Sequence, residues 1–204
     1  MTYLILGTGT DIGKSFLAEN LCRILPQITA IKPVCTGFLY SDKNSDPARI
    51  LTALNLEISE ANLNDISPWR FVEACSPHFL DEQIDFFAVR NFCQKKILEA
   101  GKKTLLIEAA GGVMTPINNQ KTFLDLATEL KIPVLLVTGN YLGAISHTLS
   151  AVEALKSKGV VVKRIIVNER EESKWSIVET LKNFTGIEAV TMKKLLLNPN
   201  LGRD

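Results

Sequence analysis

Short, unbroken aliphatic runs alternate along this chain with segments whose apolar residues return every three to four positions. The first run, Tyr3-Leu4-Ile5-Leu6, has no polar interruption, the pattern of a strand covered on both faces. A Gly/Thr-rich loop over residues 7–13 follows it. Residues 14–25 then read as a helix, with Phe16, Leu17, Asn20, Leu21, Ile24 and Leu25 marking one stripe and Pro26 stopping it. Residues 29–33 predict a second strand. Asp46-Pro47 opens a helix to Leu54, because proline is preorganised for a first helical turn. Residues 84–100 predict an amphipathic helix closed by Gly101. Between 37 and 82 the pattern is otherwise irregular, with loops at Ser67-Pro68 and Ser76-Pro77.

The second half repeats the theme. Strands are predicted at 104–107, 133–138 and 160–167, and helices at 123–130, 144–157 and 175–184. Continuous apolar strands alternating with helices imply an α/β fold: a mainly parallel sheet with helices on both faces. No internal repeat, low-complexity tract or linker interrupts the pattern, so residues 1–204 are expected to form one domain.

Composition narrows the function classes. Hydrophobic residues make up 46% and charged residues 22%, and the net charge is +1. That balance offers no broad basic face for nucleic acid and no polybasic membrane patch. There is no apolar run of membrane-spanning length and no signal-peptide pattern at the start, so a cytosolic protein is expected. The four cysteines at 22, 35, 75 and 93 form no C-x-x-C pair, and with two histidines they make no zinc pattern. Free thiols are expected, with Cys22 in the helical core stripe.

The chemistry concentrates in Gly7-Thr8-Gly9-Thr10-Asp11-Ile12-Gly13-Lys14-Ser15. A strand ends, a glycine-rich turn follows, and Gly-Lys-Ser opens a helix. This is the context of a phosphate-binding loop, the signature of a P-loop NTPase-like fold. Backbone N–H groups and the helix N-terminus face the anion. Lys14 would bridge the β- and γ-phosphates of ATP, and the Ser15 hydroxyl would ligate Mg²⁺. Five residues rather than the usual four separate Gly7 from Gly13.

Further segments stand in a telling order: Lys32-Pro33-Val34-Cys35-Thr36-Gly37, Asn44-Ser45-Asp46, Ser76-Pro77-His78, Glu108-Ala109-Ala110-Gly111-Gly112 and Leu142-Gly143-Ala144-Ile145-Ser146-His147. Together with the phosphate loop they resemble the motifs of the dethiobiotin synthase family, over about residues 3–168. That resemblance implies a reaction joining CO2 to 7,8-diaminononanoate at the expense of ATP. The carbamate is phosphorylated, and the second amine then closes a cyclic urea, giving dethiobiotin, ADP and phosphate.

The resemblance also implies roles. Lys32 is the catalytic lysine, acting with Lys14 and Thr10, and Thr36 and Lys32 contact the diamine. The nucleotide is held by Asp11, Ile12, Gly13, Lys14, Ser15, Phe16, Asp46, Glu108, Ala109, Ala110, Gly111 and Asn168. Mg²⁺ is held by Ser15, Asp46 and Glu108. Some of these positions also have plainer readings: Asp11 as a turn former, Asp46 as a helix cap, Asn168 as a turn residue. Ala109 replaces a glycine of the family pattern, which costs something if that backbone needs positive φ. Tyr141 and Ser146 depart from the family's Lys and Asn. The segment 187–197 lacks the family's Ile-Pro closure. Residues 139–147 correspond to the family's dimer-forming segment, so a homodimer is expected. His78 and His147 are expected to be hydrogen-bonded structural residues.

Two other readings remain open from the residues. One is a related P-loop ATPase or amide ligase. Against it, a partitioning ATPase carries an early second lysine where this chain has Thr8, and a glutaminase domain would not fit in this length. The other is a nucleotide-binding module without turnover.

Overall fold

The computed structural model describes residues 1–169 and 175–201. Strand β1 (Thr2–Gly7) leads to helix α1 (Lys14–Ile24), β2 (Ile28–Ile31) and the short β3 (Val34–Thr36). Then come α2 (Asp46–Ala53), α3 (Glu60–Ile66), β4 (Trp69–Phe71), α4 (Phe86–Ala100) and β5 (Thr104–Glu108). The chain continues through α5 (Phe123–Leu130), β6 (Val134–Gly139), α6 (Ala144–Ser157) and β7 (Val162–Asn168). It closes with α7 (Val178–Thr185), β8 (Ala189–Thr191) and α8 (Met192–Leu197).

Six strands form one sheet in the order β2-β5-β1-β6-β7-β8. Every pairing in it is parallel. The most apolar strands lie innermost: all six residues of β6 are buried, as are residues 3–7 of β1. From β1 the chain first steps to the far edge, β2, and then travels back across the sheet. Right-handed crossovers therefore place α1 on one face and α4 to α7 on the other. The contacts agree: α1 packs against α2 and α8, whereas α4 meets α5 and α6 meets α7. One connected apolar core runs through both layers. Among the described residues no helix is long and apolar enough to cross a membrane.

Several boundaries differ from the sequence reading. The strand predicted from 160 begins at Val162, and the helix predicted from 175 begins at Val178. Ile177 turns into the core ahead of that helix, while Trp175 is exposed. In α1, Phe16 and Ile24 are exposed, and the buried stripe is instead Lys14, Leu17, Ala18, Leu21 and Cys22. The irregular region contains α3, capped by Ser59 accepting from the Asn62 N–H, and a two-stranded parallel sheet of β3 and β4. Residues 187–197 hold β8 and α8, with Thr191 capping the helix. All four cysteines are free thiols, and Cys22 is buried as expected.

Candidate active site

The loops leaving the carboxyl ends of β1, β2 and β5 converge where the strand order reverses, the place where open α/β sheets bind ligands. The loop after β1 owes its path to two left-handed residues. Asp11 has φ 55°, a conformation aspartate tolerates. Gly13 has φ 103°, and a Cβ there would lie 2.5 Å from Asn168 Nδ2, so only glycine fits. The Asn168 amide donates to the Ile12 carbonyl at 3.0 Å, fastening the loop to the end of β7. Lys14 Nζ donates to the Gly9 carbonyl at 2.8 Å, and the Val113 N–H donates to the Gly7 carbonyl at 2.9 Å.

Sheet register assembles the charged centre. Ile31 of β2 pairs with Ile107 of β5, so the residues one step beyond, Lys32 and Glu108, stand side by side. Lys32 Nζ donates to Glu108 Oε1 at 2.6 Å and to Asp46 Oδ2 at 2.5 Å. Ser15 Oγ donates to the same Glu108 oxygen at 2.6 Å. Asp46 arrives as the first residue of α2, whose N-cap is Ser45 and not Asp46. Lys32, Glu108 and Lys14 are all buried. Burial alone would lower the Lys32 pKa, but Glu108 and Asp46 outweigh it and hold the ammonium above its ordinary range. Burial likewise opposes ionisation of Asp46, yet Lys32 and hydrogen bonds from Lys32 and Ser15 keep its carboxyl low. For Lys14 burial prevails and brings the pKa down to about 8, with Glu108 pulling the other way.

Both lysines line one cavity of about 830 Å³. Thr10, Asp11, Gly13, Ser15 and Phe16 form its phosphate-loop wall, and Thr36, Asp46, Ala110 and Gly111 face them. Glu108 and Ala109 are buried and do not line it, although Glu108 bonds Lys32 and Ser15 there. Ile12 and Asn168 belong instead to a neighbouring cavity of about 210 Å³, shared with Tyr141. Ala109 has no positive φ, so alanine is accommodated where the family pattern has glycine. The left-handed position is Gly111, at φ 65°, where a Cβ would lie 2.4 Å from Thr115 Oγ1. The two histidines are hydrogen-bonded: His78 Nδ1 is 2.9 Å from Ser76 Oγ, and His147 Nδ1 is 2.9 Å from the Tyr141 hydroxyl.

The structure adds lining residues that sequence reasoning passed over, among them Arg49, Cys75 and Thr115. Arg49 had a signal, since it follows Asp46 by three residues on one helix face. Cys75 had none, because it reaches the cavity through a loop.

A family model described as an AAA domain matches residues 1–196. The ATP-dependent dethiobiotin synthetase BioD of Legionella pneumophila (strain Paris) is 35% identical over 98% of this chain and 93% of its own length. This chain belongs to the dethiobiotin synthetase family. The dethiobiotin synthetase of Phenylobacterium zucineum (strain HLK1) is 36% identical over 82% of the chain and 75% of its own. Solved structures with the same overall fold include two bacterial proteins. The ParA family ATPase of Chlorobium tepidum TLS aligns with TM-score 0.54 at 14% identity, over 96% of this chain and 87% of its own. The MinC:MinD complex of Aquifex aeolicus gives TM-score 0.55 at 14% identity, over 97% of this chain and 83% of the other. At such identities the likeness concerns the fold alone.

Proposed function

We propose that this chain is an ATP-dependent dethiobiotin synthetase, converting 7,8-diaminononanoate and CO2 to dethiobiotin with release of ADP and phosphate. The observation that carries the reading is the meeting of Lys14 and Lys32, from the ends of two different strands, on the wall of one cavity.

An amine of the substrate adds to CO2 and loses a proton, giving a carbamate. The carbamate oxygen attacks the γ-phosphorus of ATP as the bond to the β-phosphate oxygen breaks, releasing ADP. The second amine then attacks the carbamoyl carbon, expels phosphate and closes the urea ring. Two anions must approach each other in the phosphorylation step. Preorganised cations in a partly dry site lower that barrier more than any other single device. Lys14 serves the phosphate side, with the backbone of Asp11 to Gly13 and with Thr10 beside the transferred phosphoryl group. Lys32 serves the carbamate side, and Thr36 lies on the diamine side of the cavity. Asn168 and Phe16 flank the nucleotide.

Residues for Mg²⁺ fit the ion's chemistry. Ser15, Asp46 and Glu108 offer oxygen donors only, the preference of a hard cation. Glu108 Oε2 is buried without a hydrogen-bond partner, and an ion beside it would satisfy that oxygen. Among the described residues no group of three or more His, Cys, Asp or Glu is gathered for a metal. A set of two carboxylates and a hydroxyl suits an ion that also takes phosphate oxygens. When bound, Mg²⁺ would neutralise charge developing on the phosphates.

A homodimer completes the reading. Leu142 is fully exposed and Tyr141 is partly exposed at the start of α6, an apolar surface suited to a second copy. A cytoplasmic location is part of the same proposal. The deciding experiment supplies purified protein with ATP, Mg²⁺, bicarbonate and the diamine, and follows cyclic-urea product. Phosphate release independent of the diamine would defeat the proposal.

A further inference from the structure

A third cation stands on the wall of the cavity, apart from Lys14 and Lys32. Arg49 lies on α2, three residues after Asp46 and so on the same helix face. Its Nε and Nη2 both donate to Glu19 Oε2, at 2.8 and 2.5 Å. Glu19 lies on α1, one helical turn beyond Ser15, and its other oxygen accepts from Arg23 at 2.7 Å. The carboxylate is therefore shared by two guanidinium groups. Half of the Arg49 fork is fixed, and among the described residues its Nη1 makes no hydrogen bond. The side chain is 31% exposed, intermediate between a buried structural arginine and a solvated one.

This arrangement has the form of a reader of anions. A guanidinium presents a rigid planar set of donors, and anchoring one edge reduces the entropy lost when the other edge engages an oxygen. Both of its tethers lead to the same corner. Through α2 it is tied to Asp46, and through Glu19 it is tied to the turn that carries Ser15 and Phe16. In the reading above, the phosphate loop with Ser15 and Phe16 belongs to the nucleotide side of the cavity and Thr36 to the diamine side.

We infer that Arg49 is a nucleotide-binding residue, held by Glu19 so that its free Nη1 donates to an oxygen of the ATP polyphosphate. The inference rests on the ATP-dependent reading above and deepens it.

The test compares wild-type protein with Arg49→Ala, Arg49→Lys and Glu19→Gln. ATP is titrated at saturating diamine, and diamine at saturating ATP. One charge-assisted hydrogen bond is worth about tenfold in affinity. Arg49→Ala should raise the KM for ATP about tenfold, with kcat and the KM for the diamine changed by less than about twofold. Arg49→Lys, which keeps the charge and loses the fork, should fall between. Glu19→Gln removes the counter-charge but keeps an acceptor oxygen and the arginine, so its KM for ATP should rise less than that of Arg49→Ala. Equal increases in Arg49→Ala and Glu19→Gln would make the pair structural and overturn the inference. So would a rise confined to the diamine KM, which would assign Arg49 to the substrate carboxylate. Wild-type protein that fails to use ATP with the diamine would instead defeat the functional reading itself.

Discussion

Lys32 Nζ lies 2.6 Å from Glu108 Oε1, and the contact is fixed by the parallel pairing of β2 with β5 rather than by a flexible loop. Both side chains are buried, so each is the other's counter-charge as well as a candidate participant in catalysis. Lys32→Ala is expected to abolish cyclic-urea formation while leaving ATP affinity within about threefold of wild type. It should also lower the melting temperature, because removing one partner of a buried pair costs about 3–5 kcal/mol. Product assay, ATP titration and thermal melting check the three parts. An equal collapse of ATP binding would contradict the carbamate-side role.

Lys14 is expected to behave differently. It sits inside the phosphate loop, and its ammonium bonds the Gly9 carbonyl. Lys14→Ala should weaken ATP binding by about tenfold or more and reduce turnover with it. Normal turnover in that variant would refute the phosphate-side assignment.

The orphaned Glu108 Oε2 leads to a metal prediction. Chelating divalent cations should stop product formation, and added Mg²⁺ should restore it. Glu108→Gln keeps the shape and removes the charge, so it should raise the Mg²⁺ concentration needed for half-maximal rate by about tenfold. A chelator-insensitive rate would exclude a required divalent ion.

The path of the sheet was legible in the chain because its signals are long and redundant. The buried run of β6 and the helical stripe of α6 each offered many positions that agreed with one another. The central site was legible for a different reason. Lys14, Ser15, Lys32 and Glu108 all directly follow, end or closely trail an apolar strand, and strand ends in such sheets converge. The elements that escaped are short. β3, β4 and β8 have three residues each, too few to establish a period. Arg49 and Cys75 escaped because their place in the cavity depends on how α2 and the loop after β4 dock, which no local pattern encodes.

The thiols should separate sharply by reactivity. Burial pushes Cys22 and Cys93 up to about 12, and burial opposed by Lys32 leaves Cys35 at about 11. Cys75 is only half-buried and lines the cavity. Iodoacetamide near neutral pH should therefore modify Cys75 first, since the thiolate is the reacting form. ATP with the diamine should slow that labelling. Mass spectrometry of timed samples reads the order, and earlier modification of Cys22 or Cys93 would contradict the packing described.

A capping box at the start of α5 gives a pH prediction. Thr122 accepts from the Asp125 N–H, and Asp125 accepts from the Thr122 N–H and hydroxyl. Burial alone would raise the Asp125 pKa, but these bonds and Lys121 outweigh it and hold the carboxyl below its ordinary range. An aspartate with a lowered folded-state pKa contributes stability above its unfolded value of about 3.9 and loses it as pH falls through the folded value. The stability difference between wild type and Asp125→Asn should accordingly shrink as pH is lowered from about 6 to about 3. A difference that does not vary with pH, followed by thermal melting, would remove Asp125 from that role.

The place of β1 has a consequence for how the protein is made. Strand β1 is made before its sheet neighbours and ends up mid-sheet, flanked by β5 and β6, which are translated roughly a hundred or more residues later. Until both arrive, the loop after β1 lacks the Val137 carbonyl, and before β5 also the Val113 N–H, that hold Thr8 and Gly7 in place. Nascent chains halted before β6 emerges should therefore show no affinity for ATP, so the nucleotide can stabilise the fold only once the strands on both sides of β1 have been made.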